Sequence, residues 1–171
     1  MLRLARLTSL CLLAFAPALW AQGRGVELGI DLEFTYTTDD PNVTVIQLPG
    51  GKVRVGFPVG RSLSLEPRLG FQYAGVSGNN ISLLELQLGL LWHASTDPAR
   101  SSLYLRPFFG HTHAGGSVAS GDASSLGAGI GFKIPQGNRL ALRIEGGYEH
   151  SLEDGVSGQI FAALGISFFT R

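Results

Sequence analysis

Eight short stretches of this chain alternate apolar and polar residues, and that period of two restricts its fold more than any other feature. Asp31-Leu32-Glu33-Phe34-Thr35-Tyr36 and Leu140-Ala141-Leu142-Arg143-Ile144-Glu145 show the pattern most plainly. Successive side chains on a strand point to opposite faces, so every apolar row faces one way and every polar row the other. The chain has 24 glycines and no long helical period beyond its N-terminal region, which leaves an all-β fold.

The N-terminus reads as a secretory leader. Arg3 and Arg6 are followed by an apolar core from Leu7 to Phe15 and by small residues at Ala18 and Ala21. This core is too short, with the wrong flanks, for a membrane-spanning helix. Cleavage is expected after Ala21, giving residues 1–21 as signal peptide and 22–171 as one domain. The single cysteine, Cys11, lies in the leader, so no disulfide or thiol chemistry is expected. Loss of Arg3 and Arg6 leaves 11 basic against 13 acidic side chains, and no basic excess points to nucleic acid.

The strands are expected at 26–36, 43–48 continuing through 52–57, 62–73, 81–93, 102–113, 126–134, 140–148 and 159–169. Pro49-Gly50-Gly51 interrupts the second, read as a loop followed by a bulge. Ser62 to Phe71 and Ser102 to His111 look like copies of one another, each with an internal proline, Pro67 or Pro107. A central strand disfavours proline because a ladder donor is missing, so a bulge or a locally opened ladder is expected there. Connections alternate between tight turns (Pro58 to Arg61, Pro135 to Asn138) and longer Gly/Ser/Asp-rich segments (Ala114 to Ser125, Ser151 to Gly158). Short turns inside and longer loops outside characterise bacterial outer-membrane barrels.

The two faces decide which kind of barrel this is. Rows such as Leu84, Leu86, Leu88, Leu90, Trp92 and Ile160, Ala162, Leu164, Ile166, Phe168 contain no charge. Aromatic residues stand near row ends: Tyr36, Tyr73 and Tyr148 at one end, Phe57, Trp92, Phe132 and Phe168 at the other, as interfacial girdles require. The opposite rows carry Asp31, Glu33, Arg54, Glu66, Arg68, Glu85, Arg106, Lys133, Arg143 and Glu145, five acids and five bases. Equal numbers suggest a cross-linked ionic interior, because unpaired buried charges are expensive. Glycines on the same face would make room for the long Arg and Glu chains. The expectation is an eight-stranded antiparallel up-and-down transmembrane β-barrel with a polar, plugged interior; a soluble ligand-binding barrel would need the reverse arrangement.

The alternating strands, the Leu-x-Leu-Glu-Pro-x-Leu-Gly-Phe stretch at 63–71 and the terminal strand resemble the outer membrane protein β-barrel domain superfamily, the small OmpA/OmpX-type barrels. The resemblance covers essentially the whole mature chain. It implies a bacterial outer-membrane location, contact with outer-membrane lipid and insertion by the barrel-assembly machinery. Family members usually end on an aromatic residue, whereas here Thr170-Arg171 follow Phe169.

His111 and His113 share one face and could chelate a metal, with His150, Asp122 and Asp154 near the same rim; a polar collar is the favoured reading, with no metal or other cofactor. Lipid A deacylases place His, Ser and Glu on the outer wall around a His-x-Ser motif, but His111-Thr112-His113 lacks the serine, and no enzyme activity is expected. Glu66 and Arg106 hold equivalent places in the repeat and are expected to pair across the lumen. The functional expectation is a monomeric protein with a structural or surface-interaction role. The alternatives are a narrow pore for ions or small solutes and a lipid-modifying enzyme.

Overall fold

The computed structural model of the chain describes residues 25–37, 46–76, 79–95, 100–117, 120–153 and 158–170; the expected leader lies outside them. Eight strands follow in chain order: β1 (Glu27–Thr37), β2 (Ile46–Pro58), β3 (Leu63–Val76), β4 (Asn79–His93), β5 (Ser102–Gly116), β6 (Gly121–Pro135), β7 (Leu140–Ser151) and β8 (Gln159–Phe169). Each pairs antiparallel with its sequence neighbour, and β8 returns to β1, with Glu27 opposite Phe169 and Thr37 opposite Gln159. Closure gives every strand a hydrogen-bonded neighbour on both sides, which is what lets a sheet cross a bilayer.

The second strand runs unbroken through Pro49-Gly50-Gly51. Its pairing with β1 shifts between Glu33 and Thr35, where two steps on β1 face three on β2, so the extra residue is absorbed as a bulge beside the proline. The internal prolines of β3 and β5 behave alike. Pro67 keeps its pairing with Leu88 on β4, while the β2–β3 ladder is open between Arg54↔Arg68 and Phe57↔Leu65 without a change of register. Pro107 keeps its pairing with Ala128, while the β4–β5 ladder is open between Gly89↔Phe108 and Trp92↔Leu105. In both copies the missing N–H falls toward the preceding strand, so each proline opens the ladder locally and neither makes a bulge.

Several strands run beyond their expected ends. Gly121 to Ser125, expected in a loop, pairs residue by residue with Gly110 to Ala114. The β5–β6 connection shrinks to residues 117–120, and β3–β4 to 77–78, whereas β4–β5 spans 94–101. The expected alternation of short and long connections is therefore not what separates the two ends. Hairpins that extend past the apolar band take up the polar residues instead. At the β6–β7 turn Gly137 has a φ of 85°, a left-handed conformation that glycine adopts without a Cβ clash.

The outer wall is apolar, with Ile30 58%, Phe71 62% and Leu164 53% exposed. Trp92 pairs with Leu63, Phe132 with Leu103 and Phe168 with Leu28, which sets these aromatics at the end that holds both chain termini. Phe57, opposite Leu65 near the same end, is half-buried. Tyr36, Tyr73 and Tyr148 are exposed toward the distal end. From Leu28 to Tyr36 the row rises about 27 Å along the strand, or about 20 Å along the axis at a typical tilt, against an apolar band of about 25 Å in such barrels.

Candidate functional site

The interior is built from residues of opposite parity to the wall. Asp31, Glu33, Arg54, Glu66, Arg68, Arg106, Lys133, Arg143 and Glu145 are all buried, and Glu85 is half-buried toward the distal mouth. The structure brings Glu27, Lys52 and Glu149 into the same space, three charged residues additional to the ten read from sequence. Lys52 shares the parity of Arg54 within the uninterrupted segment 52–57, so the alternation carries its signal, and Glu149 follows Tyr148, the expected end of its strand. For Glu27 the signal is the alternation itself, since it lies between Val26 and Leu28.

Glu145 is the centre of the network. Its Oε2 accepts from Arg68 Nη2 at 2.7 Å, Arg143 Nη2 at 2.6 Å and the Tyr104 hydroxyl at 2.7 Å, and its Oε1 accepts from Arg106 Nε at 2.7 Å. Glu66 accepts from Arg143 Nη1 at 2.5 Å and Arg68 Nε at 3.0 Å. Glu66 and Arg106 are thus not direct partners: each pairs instead with groups linked through Glu145. Alternation assigns a face but not a partner across the lumen, which depends on strand stagger.

Nearer the termini, Arg54 Nε donates to Asp31 at 2.9 Å and Arg54 Nη1 to Glu27 at 2.5 Å. Arg54 Nη2 donates to Ser167 Oγ at 2.7 Å, and Lys133 donates to the other Glu27 oxygen. Toward the distal end Lys52 donates to Glu33 at 2.8 Å and Glu85 at 2.5 Å. Aromatic rings fill the remaining space, with Arg106 4.1 Å from the Phe108 ring centre and Arg143 4.4 Å from that of Tyr104. Charge-assisted bonds of this kind offset the desolvation of the buried ions only because nearly every member is multiply partnered.

Glycines face these rings. A Cβ on Gly131 would lie 2.1 Å from the Tyr104 hydroxyl, and one on Gly127 would lie 2.2 Å from Phe108. Tyr104 is fully buried between Glu145 and Arg143 and cannot swing aside. Gly131→Ala is therefore expected to destabilise the barrel by about 1–3 kcal/mol through overpacking. Urea titration of the folded protein in micelles would show it as a lowered midpoint.

Two further clusters lie at the distal end. On the outer wall above the apolar rows, His113 Nδ1 is 2.7 Å from Asp122 Oδ1, and His111 Nδ1 is 3.3 Å from Ser124 Oγ. His111 Nε2 is 3.8 Å from the same Asp122 oxygen. The carboxylate is thus hydrogen-bonded to His113 and lies farther from His111, the histidine beside Ser124. His150 stacks on Tyr148. Asp154 lies outside the described residues. Among the described residues no group of three His, Cys, Asp or Glu side chains could hold a metal ion. Inside the mouth, above the network, is a polar cavity of about 250 Å³ lined by Gln72, Glu85, Thr112, Ser125, Glu149 and Gln159 among others.

An apolar outer wall around a charged, filled lumen defines the class: a small β-barrel with the fold of bacterial outer-membrane proteins. Comparison with solved structures agrees. The attachment invasion locus protein Ail of Yersinia pestis superposes with a TM-score of 0.58 at 16% identity, covering 85% of this chain and 99% of that one. Neisserial surface protein A gives 0.65 at 11% identity, covering 87% and 100%. Ail in complex with the heparin analogue sucrose octasulfate gives 0.56 at 15% identity, covering 86% and 97%. No protein family and no curated protein matches the sequence. The chain has the architecture of the small OmpA/OmpX-type barrels of the bacterial outer membrane.

Proposed function

We propose that this protein is a closed, non-catalytic surface barrel whose distal rim faces outward and meets its partners there. The observation that carries the reading is the network at mid-lumen, where Arg54, Glu66 and Arg106 are each 0% exposed. Ions would have to break several charge-assisted bonds to pass. Lipid surrounds the wall, the assembly machinery inserts the chain, and the barrel is a monomer with no cofactor.

The rim also has a sign. Asp122 and Glu153 are exposed there, and the sequences of the four distal connections contain Asp39, Asp40 and Asp154 but no Lys or Arg. Complementary potential governs encounter, so a polyanion such as the heparin analogue bound by Ail is disfavoured and a cationic partner favoured. Reconstitution in planar bilayers tests closure. No steady conductance is expected; discrete, ion-selective steps would overturn it in favour of a pore. A change in lipid A mass on expression would overturn the non-catalytic part.

A further inference from the structure

The interior charges do not balance. Among the described residues, Glu27, Asp31, Glu33, Glu66, Glu85, Glu145 and Glu149 face Lys52, Arg54, Arg68, Arg106, Lys133 and Arg143, seven carboxylates against six cations. Six of these carboxylates have at least one cation within 4.0 Å. Glu149 is the exception: it is only 6% exposed, and its oxygens accept from the Ser125 hydroxyl and from Gln159 Nε2 at 3.1 Å, both neutral donors. It lines the polar cavity of the distal mouth.

We propose that this cavity is a binding site for a small primary ammonium compound, whose positive charge pairs with Glu149. A buried carboxylate with two neutral donors retains acceptor capacity, and its desolvation is offset best by a cation that donates hydrogen bonds. The excess is a single charge, which matches a monovalent ligand. Gln72, Thr112 and the other hydroxyl and amide groups of the lining accept the remaining N–H donors. Two competing ligand types fit less well. A divalent metal would need further anionic ligands, yet Glu85 is already engaged by Lys52 and Gln87. A quaternary ammonium would need aromatic walls, and none of the cavity's lining residues is aromatic.

The site lies above the closing network, so it can fail while closure holds, and the two readings are tested apart. Calorimetric titration of the folded barrel in micelles with n-butylammonium chloride, and with 1-butanol as neutral counterpart, reads binding directly. Saturable binding of the ammonium alone is expected, weakened about tenfold or more by Glu149→Gln. Ala123→Leu, which fills the lining without altering charge, is expected to weaken it as well and guards against misfolding of the first variant. Heat-modified gel migration verifies that each variant is folded. Absence of saturable binding, equal binding of 1-butanol, binding unchanged in Glu149→Gln, or binding of calcium chloride in place of the ammonium would each overturn the assignment.

Discussion

Replacing Glu145 with alanine is expected to lower the stability of the barrel by about 3–5 kcal/mol, the usual effect of removing one partner from a buried ionic cluster. The reason is local. Arg68, Arg106 and Arg143 all donate to this carboxylate; without it Arg106 would lose its carboxylate partner, and Arg68 and Arg143 would be left to share Glu66. Tyr104 would lose the acceptor of its hydroxyl. Equilibrium unfolding in urea, followed by tryptophan fluorescence in lipid vesicles, gives the quantity directly. A double-mutant cycle with Arg106→Ala separates the pairwise part from the cost of the stranded charges; a coupling near zero would mean the two groups act independently.

The other large effect belongs to the wall. Leu164 stands at the middle of its outward row, opposite Leu32 on β1 and Ile144 on β7, and all three are about half-exposed to the surroundings. Leu164→Arg is expected to cost about 2–4 kcal/mol in a bilayer, the penalty of a cation at the midplane. The same substitution at Leu152, beyond the apolar rows, is expected to cost about 0–1 kcal/mol, as near an interface. Equal costs at both positions would mean that the apolar band is misplaced.

The alternation alone was enough to read the ring of strands, because burial on one side of a barrel wall forces a strict period of two. Details not encoded by parity were harder. Glycine, serine and aspartate between Gly115 and Ser125 look like loop, but strands that rise beyond the lipid need no apolar face, so composition there does not distinguish ladder from loop. Alternation alone does not mark the inward rings of Tyr104, Phe108 and Phe161 as lumen fillers; the signal is the facing glycines Gly131, Gly127 and Gly147, which make sense only once cross-strand pairing is known. The interior site was legible as a set of charges and not as a set of partners. Glu66 meets Arg143, 77 residues away in sequence, because strand stagger and lumen width bring them together.

That separation bears on how the chain reaches its native state. Glu145 on β7 bonds to residues of β3 and β5, and Arg54 on β2 bonds to Ser167 on β8, 113 residues later. Until β7 joins, Arg68 and Arg106 lack their shared acceptor, and until β8 joins, the ring has two open edges. Contacts of such long range reward the chain only after nearly all of the loop-closure entropy has been lost, which makes folding slow and strongly cooperative. A partial sheet of the first six strands would leave Arg106 without its carboxylate partner, whereas Arg68 would keep Glu66 on its own strand. The ionic lumen thus completes its bonds only as the last strands close the ring.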